Sequence, residues 1–288
     1  MEKQNVQSMV AVDFYISQYP LKSVGPKLVP FFKTLAIYFV LFIPVERPSW
    51  FAMCIKCLPI VSLIVFVLLH GMSLGNECVL LKHIADLFYE ESSLIYRYAF
   101  SRRILTGLVF SCVGDALLVW PHYFLHGMAA FGGAHLMYIV AFGFKPLNIA
   151  LGVLLFNFCG VAVSALMRRL SGVLLVGIPV YSILLITMTW RAIARVQLFE
   201  ELWTWTKLCS CAGGIIFAIS DALIGFHHFH HPIPHSQALI MVTYYAAQLG
   251  IALSVVDSKA SYNKAQASAQ LISKSHKIRR AIRLPSIN

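Results

Sequence analysis

Eight apolar stretches, each between 17 and 21 residues long, run through the chain: 28–44, 51–70, 103–121, 123–143, 147–167, 172–190, 206–226 and 236–255. A helix rises about 1.5 Å per residue, so about 20 apolar residues carry it across a hydrocarbon core about 30 Å thick. In that core every backbone N–H and C=O has to be satisfied within the protein. Runs twice the length of a barrel strand therefore leave the helix as the only answer. The chain is 59% hydrophobic and only 12% charged, which excludes an ordinary soluble domain. The expectation is an all-α, polytopic integral membrane bundle of eight transmembrane helices.

The connections divide the chain further. Pro121 and Lys145-Pro146 mark short hairpin turns, so the helices on either side should pack antiparallel. Residues 71–102 form the one long connection, with Glu77, Asp86, Glu90, Glu91, Arg97 and Arg102, and have room for a short surface helix. We read 1–27 as a cytoplasmic N-terminal segment, 28–255 as the membrane domain and 256–288 as a basic cytoplasmic tail. The first apolar run lacks the small-residue cleavage pattern of a signal peptide, so the N-terminus is expected to be retained. With both termini cytoplasmic, 18 Lys and Arg fall on that side and 3 (Arg47, Arg168, Arg169) on the other. The positive-inside rule favours this orientation. The tail carries seven basic residues after Asp257 and no acidic one, with Tyr262 its single aromatic. That pattern suits anionic lipid and argues against nucleic acid.

Two aspartates stand inside these apolar runs in nearly the same phrase: Gly114-Asp115-Ala116-Leu117 and Ser220-Asp221-Ala222-Leu223. A carboxylate at the centre of a membrane helix costs roughly 2.5–3.5 kcal/mol on insertion scales. Two of them in matching context point to chemistry, although a polar residue satisfied by a neighbouring hydroxyl is the plainer alternative. Counted from the ends of the runs, Asp115 lies roughly 9 Å and Asp221 roughly 8 Å inside the non-cytoplasmic boundary. Lys56 enters from the same face. One cation can offset the burial of one carboxylate, leaving the other neutral, which separates a base from an acid.

His135, Tyr138, Tyr244, Tyr245 and Gln248 supply further polar groups on helices expected to face the same interior. The Asp phrases recur 106 residues apart, a spacing that also sets Tyr138 on Tyr244. Two parallel four-helix repeats would produce that pattern. Cys54 and Cys57 form a lone C-x-x-C within an apolar run, where a zinc or redox site is not expected. The His-rich stretch His227–His231, with His235 nearby, has metal-binding composition but no carboxylate of its own. Lys33 is read as a residue whose long stem returns its charge to the headgroups.

Five phrases in order carry a family resemblance: Ile55-Lys56-Cys57-Leu58-Pro59, Gly114-Asp115-Ala116-Leu117, Ala134-His135-Leu136-Met137-Tyr138, Ile219-Ser220-Asp221 and Tyr244-Tyr245-Ala246-Ala247-Gln248. Together they resemble the YhhN-type lysoplasmalogenase family, closest to its animal members, from about Gly25 to Val256. The resemblance implies an eight-helix membrane hydrolase of the endoplasmic reticulum that cleaves the vinyl ether of lysoplasmalogens. The products would be a fatty aldehyde and glycerophosphoethanolamine or glycerophosphocholine. It implies Asp115 and Asp221 as catalytic residues, a lysophospholipid substrate, and no metal or organic cofactor. The family's Lys-Pro-Leu reads Lys56-Cys57-Leu58 here, which puts its local kink in doubt but not the charge. Neither oligomeric state nor headgroup preference is readable. A proton-coupled lipid or solute transporter is the alternative that paired intramembrane acids also suit.

Overall fold

A computed structural model describes residues 24–44, 47–72, 91–196 and 205–256, without the side chains of 71–72, 91–98 and 205–206. Residues 1–23 of the N-terminal segment, the acidic residues of 73–90 and the tail from 257 lie outside the described residues, and residues 24–27 belong to the first helix. The described residues form eight α-helices and no strand: α1 Val24–Leu41, α2 Trp50–Val67, α3 Glu91–Leu117, α4 Phe124–Phe142, α5 Ile149–Met167, α6 Leu174–Ala194, α7 Trp205–Phe229 and α8 Ser236–Leu253. A single π-helical turn, Leu68–Met72, extends α2.

Seven of the eight are long and apolar enough to cross a membrane, as expected for a multi-pass protein. The exception is α3, expected over 103–121. It begins at Glu91, so residues 91–102 are its own first turns rather than a separate surface helix. Arg102 and Arg103 at its middle and Asp115 near its end interrupt its apolar character. It also stops earlier than expected, because the residues before Pro121 are pushed out of helical geometry. The chain then makes a turn and the 3-10 helix Pro121–Tyr123 before α4.

Local chemistry sets the other boundaries. Ser49 caps α2 by accepting from the Ala52 N–H at 3.0 Å, and Asn148 accepts from the Leu151 N–H at 3.4 Å to start α5. Pro59 sits inside α2 and removes the N–H that would have reached the Ile55 carbonyl. It lies one turn from Lys56, so this stretch of α2 carries its own break despite the missing Pro at Cys57.

The bundle is built from two close hairpins, α3 with α4 and α7 with α8, joined by α2 against α3 and α6 against both α4 and α7. Small residues bring the hairpins together, as membrane helices require. At Gly213 a Cβ would meet the Ala247 carbonyl at 2.8 Å, and at Gly250 the Cys209 carbonyl at 2.8 Å. The helix α5 hangs on the side of α6, with Gly152 its only buried residue. Its Leu154, Phe158 and Val161 face outward and suit lipid. Arg191 is fully buried at the opposite end of the bundle from Pro121. Its guanidinium donates to the carbonyls of Gly143 (2.6 Å), Pro146 (2.7 Å) and Leu147 (3.3 Å), tying the α4–α5 turn to α6.

Candidate active site

Helix α2 presents Lys56 to the last turn of α3. The Lys56 Nζ lies 3.5 Å from Asp115 Oδ1 and donates to the Asp115 backbone carbonyl at 3.4 Å. The second carboxylate oxygen accepts from the Tyr244 hydroxyl of α8 at 2.6 Å. Asp115 is 2% exposed, so a cation on one oxygen and a hydroxyl donor on the other hold its charge inside the bundle.

Behind Tyr244 runs a line of donors. Gln248 Nε2 donates to the Tyr244 oxygen (3.3 Å), Tyr138 donates to Gln248 Oε1 (3.0 Å), and Ser111 lies 3.5 Å from the Tyr138 hydroxyl. With Tyr138 and Tyr244 both committed as donors, every hydroxyl in the line points its proton towards Asp115. Tyr138 reaches this position because a Cβ at Gly107 would occupy the space of its ring. Tyr245 plays a different part: its hydroxyl donates to the Lys56 backbone carbonyl at 2.7 Å and so fixes α2 against α8.

Asp221, on α7, meets another set of partners. Tyr181 of α6 donates to its Oδ2 at 2.5 Å, and His135 Nε2 of α4 lies 3.6 Å from the same oxygen. His135 Nε2 is also 3.0 Å from the Tyr181 oxygen. Because the Tyr181 proton is directed at Asp221, that oxygen is left to accept from His135 Nε2–H. Among the described residues no hydrogen bond reaches Oδ1, and 11% of the side chain remains exposed. The rings of Phe217 and Phe131 stand between the two groups: Phe217 lies 4.9 Å from His135 and 5.7 Å from Tyr244, centroid to centroid.

Both aspartates, Lys56, Tyr181 and Tyr244 line one cavity of about 450 Å³. Away from these groups its wall is apolar, with Met128, Phe158, Val163 and Leu166 among the lining residues. The expected layer thus holds for Lys56 and Asp115, which touch. The helix ends differ from the ends of the apolar runs. Asp115 lies two residues from the end of α3, and Asp221 lies eight from the end of α7, about 12 Å along that helix. The lysine is paired with Asp115, and among the described residues no ion pair joins it to Asp221.

All eight residues singled out in the sequence therefore fall in two connected clusters. Tyr181 was missed. Its signal was a tyrosine well inside a span, away from the interfacial belts where tyrosines usually gather. The His-rich stretch stays outside the clusters. His227 accepts from the Ile233 N–H at 2.9 Å and lies 3.3 Å from Ser236 Oγ, which closes the α7–α8 turn. No group of three His, Cys, Asp or Glu donors is gathered among the described residues. Cys57 is buried with its thiol 3.7 Å from the Cys112 carbonyl, and Cys54 faces outward. Lys33 is exposed on α1.

A family model described as the YhhN family matches residues 51–255, which enclose every one of these site residues. The chain belongs to the YhhN family. The YhhN chain is 42% identical over 241 residues to a protein named lysoplasmalogenase TMEM86A from Bos taurus, covering 83% of this chain and 92% of that one. The Homo sapiens TMEM86A gives the same identity and coverage. Lysoplasmalogenase TMEM86B of Sus scrofa is 37% identical over 235 residues, covering 82% and 88%. No solved structure matches the chain.

Proposed function

We propose that the chain is a membrane lysoplasmalogenase that hydrolyses the vinyl ether of alkenyl-glycerophosphoethanolamine and alkenyl-glycerophosphocholine. The observation that carries this reading is the pair of differently partnered aspartates on the wall of one apolar cavity. Asp115, held by Lys56 and Tyr244, is the carboxylate. Asp221, held by the neutral Tyr181 hydroxyl and His135, is the acid, with Oδ1 left for the proton it gives.

The reaction follows from those two states. Asp221 donates its proton to the alkene carbon remote from oxygen, leaving an oxocarbenium ion on the carbon that bears oxygen. The Asp115 carboxylate stabilises that cation and takes a proton as water adds to it. The hemiacetal then collapses: Asp115 returns the proton to the glycerol oxygen, the C–O bond breaks, and the hemiacetal hydroxyl passes its proton to Asp221. Fatty aldehyde and the glycerophospho-base leave, and both aspartates are restored. No step calls for a metal or organic cofactor. Lys56, Tyr181, His135 and Tyr244 act through the aspartates, and Tyr138, Tyr245 and Gln248 position them.

Purified protein in detergent, given ethanolamine and choline lysoplasmalogens, is expected to release fatty aldehyde from both. Binding without aldehyde would favour the transporter alternative. We also place the protein in the endoplasmic reticulum membrane, with both termini cytoplasmic, 28–255 as the catalytic domain and 256–288 as a tail against anionic lipid. The 18 to 3 distribution of basic residues supports the orientation. Glycosylation acceptors inserted at Pro232 and at the C-terminus test it: the first is expected to be modified and the second not.

A further inference from the structure

A second, smaller cavity of about 160 Å³ adjoins the first, and Lys56, Leu118, Phe124, Ile224, Ile240 and Met241 line both. Beside it Gln237 Nε2 of α8 donates to the Ile43 carbonyl just after α1, at 2.8 Å. Arg47, between α1 and α2, is exposed and also lines the cavity, so this antechamber reaches the surface. Its level in the membrane is marked by Trp50 and Trp120, whose rings meet at 4.9 Å at this end of the bundle. Tryptophans gather at the depth of the lipid headgroups.

Lys56 stands where the two cavities meet, but its ammonium is engaged by Asp115. A phosphate in the antechamber needs a different partner; of Arg47 and His228, both on its wall, Arg47 brings the guanidinium. Among the described residues the ion pair between a Lys or Arg and a carboxylate is Lys56–Asp115, and Arg47 takes no part in it. Its planar fork of donors is suited to phosphate oxygens.

We propose that the antechamber is the subsite for the phosphodiester of a single-chain glycerophospholipid, with Arg47 its phosphate ligand. This rests on the lysoplasmalogenase reading and gives the substrate one orientation. The head lies against Arg47, the labile bond lies between the antechamber and the apolar cavity beside Asp115, and the alkenyl chain runs into the larger cavity towards α5. A free phosphate ion shares the headgroup's chemistry and is the competing occupant.

The test compares alkenyl-glycerophosphoethanolamine with alkenylglycerol, which lacks the phosphate, on the purified full chain. Arg47→Gln is expected to lower the ratio of the two kcat/KM values, phospholipid over alkenylglycerol, by about tenfold or more, the scale of a hydrogen bond to a charged group. Arg47→Lys keeps the charge and is expected to recover part of the ratio. An unchanged ratio in Arg47→Gln overturns the assignment and leaves Arg47 an interfacial arginine. Inorganic phosphate that inhibits the wild type competitively but spares Arg47→Gln, with the ratio unchanged, makes the site one for free phosphate and also overturns it. Aldehyde from neither substrate with the wild type counts against the lysoplasmalogenase reading alone. The subsite is then read by binding of a non-hydrolysable alkyl lysophosphatidylethanolamine, which is expected to weaken in Arg47→Gln; equal binding overturns it.

Discussion

Replacing Lys56 by Met removes the cation from a pair whose side chains are 18% and 3% exposed and 3.5 Å apart. Methionine keeps the length and most of the packing of the lysine stem, so the change is chiefly electrostatic. Breaking a buried pair from one side costs about 3–5 kcal/mol when the remaining charge has no relief. Here Asp115 keeps the Tyr244 hydroxyl and can take up a proton, which brings the expected loss to about 2–3 kcal/mol. Asp115→Asn removes the charge that demands a partner. The lysine it strands is partly exposed on the antechamber side, so that change is expected to stay within about 1 kcal/mol.

The double variant decides whether the pair is coupled. Lys56→Met with Asp115→Asn should be about as stable as Asp115→Asn alone, a coupling of about 2–3 kcal/mol. Reversible unfolding in mixed micelles at rising SDS fraction, followed by tryptophan fluorescence, measures all four corners of the cycle. Aldehyde release separates the chemistry from the stability. Lys56→Met is expected to lose turnover as Asp115 becomes protonated, and the double variant is expected to regain stability without regaining turnover. A loss from Lys56→Met that is the same in both backgrounds refutes the reasoning and leaves Lys56 a packing residue.

Three further outcomes are expected. Asp115→Asn and Asp221→Asn should each lower aldehyde release by roughly 10²–10⁴-fold at normal expression, with the double variant little worse than the poorer single, because groups acting as a unit are not additive. Tyr181→Phe, which removes the 2.5 Å donor to Asp221, should lower kcat about tenfold or more with little change in KM; unchanged kcat would take Tyr181 out of the site. Arg191→Met removes a buried guanidinium with its three hydrogen bonds to carbonyls of the α4–α5 turn and should cost about 3 kcal/mol in the same SDS titration, while the fraction that stays folded keeps its turnover.

The helical bundle was legible because the bilayer imposes length and apolarity on every span, and both are written in consecutive residues. The third helix was the least legible for the same reason. Arg102, Arg103 and Asp115 break its apolar run, so neither its start at Glu91 nor its end at Leu117 shows as the edge of an apolar stretch. The polar residues of the site were legible individually, since each is expensive in hydrocarbon. Their partners were not. Nothing local says that Lys56 takes Asp115 rather than Asp221, or that Tyr244 meets the aspartate of the other hairpin. Tyr181 escaped because a single hydroxyl on a ring adds little polarity to an apolar helix. Arg191 escaped because, at the end of its span, it looks like an ordinary headgroup arginine until the turn it clamps is in place.

The two aspartates are repeated in phrase but not in partner, and that difference decides what such a site can do. Were both set against a cation, both would be carboxylates and neither could protonate carbon. Were both set against neutral hydroxyls alone, nothing would hold a negative charge beside the oxocarbenium ion. Lys56 reaches only Asp115, and the hydroxyl of Tyr181 reaches Asp221. The rings of Phe131 and Phe217 pack edge to face between the two groups. Carbon is a poor base and competes badly with water for a proton. In the proposed reaction, an acid on a mostly apolar wall meets few competitors. On that reading the membrane that makes two buried carboxyls costly is also what makes one of them useful as an acid towards an alkene.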